Sequence, residues 1–174
     1  MDNLKDIEKL LQAYIEKNFV PYPTAGAATA AVSPSALFEN VREIMSFDLD
    51  EIDFRRRFNE NKHETFSEML LRLVNESGER SSTIYNRANI DRRHFSKIIT
   101  HKDYQPTKQT VLAFVVALKL DFERAKNLLA AAGYTLTNSN FFDVIVSFFI
   151  EYKIFDVDCV NRILYKYNQP LLGG

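Results

Sequence analysis

Apolar residues recur at three- and four-residue spacing from the start of the chain. Leu4, Ile7, Leu10, Leu11, Tyr14 and Ile15 fall on one face of a helix predicted over 2–18, ahead of Pro21 and Pro23. The stretch PTAGAATAAVSPSA, residues 23–36, is small, uncharged and broken by proline, which predicts a flexible linker. Residues 37–63 hold a short helical candidate, LFENVREIMSF, then DLDEIDFRRRFNENKH, where both charge signs are mixed with spaced apolar residues; this part is expected to be partly disordered. From Thr65 the pattern becomes regular. Helices are predicted over 66–77 (stopped by Gly78), 82–88 (capped by Ser81 or Ser82), 91–100 (capped by Asp91) and 107–120 (after Pro106, capped by Thr107). Three more are predicted over 121–133 (Asp121 to Gly133), about 140–152 and about 156–167. No segment alternates with a period of two, so the fold class is all-α.

The segment FFDVIVSFFIEYKIF is apolar on nearly all sides. A helix of that kind must be covered, either beneath the segments 66–77, 121–133 and 156–167 or in a homodimer interface. It is far shorter than the ~20 residues a membrane span needs. The charged N-terminus lacks the apolar core of an export signal, and the single cysteine, Cys159, allows no intrachain disulfide; a cytoplasmic location is expected.

Charge changes the picture. The formal net charge is −1, yet residues 79–108 carry seven Lys/Arg against three Asp/Glu, while residues 1–78 carry nine against fourteen. The positive charge is local and lies on two short helices separated by a break. Ile84 and Ala88 share one face of the first, Ile90 fills the turn, and Phe95 with Ile98 or Ile99 forms the inner face of the second. Arg92, Arg93, Ser96 and Lys97 are left pointing outward. That order of helix, break and helix is the grammar of a helix-turn-helix unit, whose second helix fits the DNA major groove and reaches base edges from its N-terminal half.

Residues 66–129 resemble the helix-turn-helix domain of the lambda-repressor and Cro-like (XRE-type) regulators. Where that family opens its second helix with Gln and places Leu-Ala three residues on, this chain has Ser81, Ile84 and Tyr85. Its Gly-Val turn corresponds to Asn89, Ile90 and Asp91, its Ile-Ser pair to Phe95 and Ser96, and its Pro-Ser/Thr start of the fourth helix to Pro106 and Thr107. The family's Glu and Gly after the recognition helix fall on Ile99 and His101, and the following loop is one residue longer. Asn89 suits a turn that Gly usually makes, because Asn tolerates the left-handed conformation. The resemblance implies a five-helix DNA-binding core with 91–100 as recognition helix.

On this reading Arg92, Arg93, Ser96 and Lys97 contact bases, and Ser81, Ser82, Arg87, Lys102, Thr107 and Lys108 contact phosphates. Tyr104, in the adjoining loop, is a further candidate for backbone contact. The remaining chemistry is unpromising. His63, His94, His101 and Cys159 lack zinc-ligand spacing. Asp48, Asp50, Glu51 and Asp53 lack the glycine and terminal Glu of a calcium loop; a solvated, partly disordered segment is expected, and the alternative is a covering role over the basic helix when DNA is absent. No nucleophile–base pair or phosphate loop stands out, so neither catalysis, a cofactor nor a metal is expected.

The organisation read from the sequence is an amphipathic helix at 1–20, a linker and mixed-charge segment at 21–63, a helix-turn-helix domain at 64–133 and a helical extension at 134–174. The expected partners are double-stranded DNA, a second copy through the C-terminal helices, and a protein docking on the N-terminal helix; no membrane is expected. The expected activity is that of a bacterial-type transcriptional regulator. The alternative is a protein-interaction adaptor or regulatory subunit, associated with a toxin, stress or phage-defence effector, that kept the fold without sequence-specific DNA binding.

Overall fold

A computed structural model describes residues 4–21, 64–101 and 104–173. The expectations for 22–63 and for Lys102 lie outside the described residues. All the regular structure described is helical: α1 Leu4–Asn18, α2 Phe66–Glu76, α3 Ser81–Arg87, α4 Arg92–Thr100, α5 Lys108–Ala117, α6 Phe122–Ala131, α7 Phe141–Glu151 and α8 Val157–Lys166. None of these helices is long and apolar enough to cross a membrane. Met1–Pro21 and Glu64–Gly174 form one compact unit.

Two helices make its centre. Every residue of α5 from Thr110 to Ala117 is buried, as is every residue of α7 from Phe142 to Ile150. Around α5 pack α3, α6 and α8; around α7 pack α1, α6 and α8. The cover for α7 thus includes α1, where the sequence pointed to residues 66–77. Ile7, Leu11 and Ile15 of α1, one helical turn apart, are the buried stripe. The apolar face expected to receive a protein partner is therefore occupied within the chain. Beside it the Tyr14 ring meets Phe148 edge-on at 5.5 Å, and its hydroxyl donates to the Glu151 carboxylate at 2.8 Å. Burial, then that bond to Glu151, holds the Tyr14 phenol well above its ordinary pKa.

The chain reverses direction by one repeated device. Asn89, Lys119, Gly133, Lys153 and Asn168 all have positive φ. In each case its N–H reaches back three residues and the next N–H reaches back five, as in Lys119 N–H to Val116 O (3.1 Å) and Leu120 N–H to Val115 O (3.0 Å). This is the Schellman closure, which satisfies carbonyls that a helix end would otherwise leave open. The residue after the left-handed one is Ile90, Leu120, Tyr134, Ile154 or Gln169. Ile90 and Leu120 turn straight into the core, at 2% and 4% exposure. Helix starts are equally specified: Thr65, Asp91, Thr107, Asp121, Asn140 and Asp156 each accept backbone N–H bonds. Thr65 and Glu68 complete a reciprocal capping box.

One buried charge pair ties α5 to α7. The Asp143 carboxylate is 1% exposed, and the Lys108 ammonium lies 2.6 Å from its Oδ1. The directional bonds, from the Thr137 N–H (3.0 Å) and hydroxyl (3.3 Å), go to Oδ2. Breaking such a pair leaves an uncompensated charge, which costs about 3–5 kcal/mol. Lys108→Met is expected to destabilise the protein by roughly 3 kcal/mol, and Lys108→Met with Asp143→Asn by less than half that, in denaturant titrations. Equal losses in the two variants would remove the charge pair as the cause. Lys153 is exposed and holds φ at 56°, a conformation that strains a lysine, which lacks the local hydrogen bonding that lets Asn adopt it. Lys153→Gly is expected to raise the melting temperature by about 2–4 °C, the gain from ~1 kcal/mol in a protein of this size.

Candidate nucleic-acid interface

The cationic segment folds as two short helices around a four-residue turn, Ala88–Asp91. α3 is fixed by Ile84 and Ala88, both fully buried, and Ile90 closes the turn through its N–H to Tyr85 O at 2.9 Å. Asn89 supplies the left-handed residue, at φ 55°. Asp91 then opens α4: its Oδ1 accepts from the N–H groups of Arg93 (2.7 Å) and His94 (2.9 Å). Three contacts seat the inner face of α4. Ile98 is fully buried, the Ser67 hydroxyl donates to Ile98 O at 2.6 Å, and Phe95 packs between Tyr85 and Phe114, with ring centroids 5.3 and 6.0 Å away.

The outer face follows from that seating. Arg92, Arg93, Ser96, Lys97, Thr100 and His101 are all exposed and border one surface depression. The four residues expected to read bases are thus brought together. Thr100 and His101 join them; their signal was the four-residue spacing from Ser96 and Lys97. Among the described residues no carboxylate forms an ion pair with Arg92, Arg93 or Lys97, and α4 has no acidic residue in its first turn. Lys97 places its ammonium 4.4 Å from the centre of the Tyr104 ring, and Tyr104 pairs its hydroxyl with His94 Nε2 at 3.1 Å. Tyr104 is therefore half-buried as a platform beneath Lys97.

The residues expected at phosphates are not gathered in the same way. Ser81 and Ser82 do not cap α3: its cap is Arg80, which makes no side-chain bond, and Ser81 is the first helical residue. The extended backbone at Arg80 starts the helix one residue earlier than the pattern suggested, so the hydroxyls fall within its first turn. Arg87 is held in the fold. Its guanidinium pairs with the Glu79 carboxylate and donates to Ala117 O at 2.7 Å. That pairing holds Glu79 below the usual carboxylate range. Lys108 is engaged by Asp143, and the Thr107 hydroxyl accepts from Thr110 N–H at 3.2 Å as the cap of α5. No cluster of three or more metal-ligating side chains occurs among the described residues. Burial, with Asp156 adding to it, pushes the Cys159 thiol up from its ordinary pKa, away from the thiolate that nucleophilic chemistry needs.

The cap of α4 carries a pH dependence. Backbone donation from His94, then from Arg93, holds the Asp91 carboxyl below its ordinary value. A depressed folded-state pKa gives stability that is present above the unfolded-state value and lost as pH falls through the folded one. The amides of α4 are thus expected to lose exchange protection in acid, in a step that vanishes in Asp91→Asn, which keeps the cap without titrating. An acid step of unchanged size in that variant would assign it to another group.

No family model matches the chain, and neither a curated protein nor a solved structure matches it.

Proposed function

We propose that this chain is a DNA-binding transcriptional regulator of the helix-turn-helix type, with α3 and α4 as the paired helices and α4 as the element that enters the major groove. The observation that carries this reading is the outer face of α4: Arg92, Arg93, Ser96, Lys97 and Thr100 exposed together on a helix whose inner face is anchored to α2, α3 and α5. A rigidly seated helix with two arginines in its first turn suits bidentate contact with guanine, and its hydroxyls suit either bases or phosphates. Phosphate contacts come from the rim: Lys97 above Tyr104, His101 and Ser82. Arg87 and Lys108 act instead as internal braces.

A second reading has its own support. With Arg87 and Lys108 engaged inside the fold, the free cationic surface on α3–α5 is compact, and the whole chain carries −1. Such a face also fits an acidic protein surface, which would make the chain an adaptor acting through α4 and not through α1.

The two separate on titration with duplexes. On the DNA reading, fluorescence anisotropy shows binding to a subset of short duplexes with affinity that falls steeply with salt. Arg92→Ala/Arg93→Ala is expected to weaken that binding by at least ~10-fold, since each good base contact is worth about 1–3 kcal/mol. The salt slope is expected to flatten by about 0.9 for each phosphate that the variant leaves without a cation. Absence of binding at low salt, or equal binding by the double variant, would leave the adaptor reading standing.

A further inference from the structure

The α3–α4 turn is gripped from far along the chain. After α8 the backbone returns through Asn168, at φ 51°, and runs back along the molecule as Gln169–Gly173. Leu172 is 4% exposed and is held on both sides of its peptide: its N–H donates to Asn161 Oδ1 at 2.7 Å, and its carbonyl accepts from Asn161 Nδ2 at 3.0 Å. Gly173 O accepts from the hydroxyl of Thr110, which is itself buried in α5. Gly173 then lies against the turn. A Cβ there would stand 3.2 Å from Asn89 O and 3.5 Å from Asn89 Cβ, and its φ of 126° is one that side chains rarely adopt. Asn89 is also bound from α8, donating through Nδ2 to Asp158 at 3.1 Å. The left-handed residue that sets the angle between α3 and α4 is itself exposed, but it is tied to α8 by that hydrogen bond and approached by Gly173 on the backbone side.

We propose that Leu172–Gly173 is a latch that fixes the Ala88–Asp91 turn and so sets the pose in which α4 presents its cationic face. Leu172 is the anchor, Asn161 and Thr110 are the keepers, and Gly173 permits the close approach. These are positioning residues: none of them lies on the outer face of α4. The presentation half of this inference rests on the DNA-binding reading; the latch itself does not.

The experiment compares the full chain with Gly173→Val and Asn161→Ala, with Leu171→Ser, at an exposed neighbour, as control. Amide hydrogen exchange is followed residue by residue, and duplex binding is measured alongside. Expected in both latch variants is exchange faster by at least ~10-fold at Asn89, Ile90 and the first turns of α4, with α7 unchanged, because local opening and global unfolding are separable in exchange. The control should match the parent. Duplex affinity should fall by about 10-fold in the latch variants, a loss of ~1.4 kcal/mol. Unchanged exchange at the turn overturns the latch, and so does a uniform rise that includes α7, which marks a merely structural tail. Faster exchange at the turn with duplex affinity intact overturns the presentation half. If the parent binds no duplex while exchange responds locally, the latch stands and the DNA reading falls.

Discussion

Between Thr110 and Ala117, α5 has no side that reaches solvent. A helix buried all round must be covered on every face, and this requirement arranges the molecule. α3 covers it through Ile84 and Ala88, α4 through Phe95 on Phe114, and α6 and α8 complete the enclosure. The helix that carries Arg92, Arg93 and Lys97 is therefore positioned by a central rod on which it is only one of several coverings. Each buried aliphatic side chain contributes about 1.5–3 kcal/mol, so the inner face of α4 is held by the same burial that stabilises the whole unit. A change at Phe114 would be felt at Arg92 without touching it.

The connections show how so many short helices fit around one rod. Helices of seven to eleven residues gain little from propensity alone, and frayed ends would dominate them. Here the starts from α4 onward are capped by a side chain, and α3, α5, α6, α7 and α8 all end in the same closure. Among these five closures only Gly133 is a glycine; Lys119 and Lys153 adopt the left-handed conformation at a cost that packing of Leu120 and Ile154 must offset. At Asn89 the same closure acquires a second use, because the residue that ends α3 also aims α4.

Much of this is legible in the sequence. Asp91, Thr107 and Asp121 announce their helices, since a short acceptor ahead of an apolar period is a local signal. The inward set Ile84, Ala88 and Ile90 follows from spacing, which leaves Ile98 and Ile99 open until the fold buries Ile98. The capping box Thr65–Glu68 is equally local but easily passed over, and the two serines at 81–82 mask the extended residue before them. What a one-dimensional pattern does not carry is pairing at a distance. Arg87 and Lys108 look like their neighbours Arg92 and Lys97 in sequence; they differ because Glu79 and Ala117 O, or Asp143, lie beside them in the fold. The close approach of Gly173 to Asn89, far back along the chain, is of the same kind.

That division of cations bears on what α4 is for. Some exposed helical cations of this chain are answered by carboxylates: Arg72 meets Glu64 and Glu76, and Lys126 meets Glu123 one turn away. Among the described residues, no carboxylate answers Arg92, Arg93 or Lys97 on α4. Arg93 and Lys97 stand four residues apart, a like-charge spacing that costs a few tenths of a kcal/mol, and the helix itself contains no acid to relieve it. Asp91, just ahead of the helix, is spent on two backbone N–H groups at the helix start, where the helix dipole favours it. Stability would be served by a Glu at Ser96 or Thr100. With neither position acidic, α4 supplies no counter-charge of its own to this face; a polyanion can supply it from outside, and that is the physical content of the nucleic-acid reading.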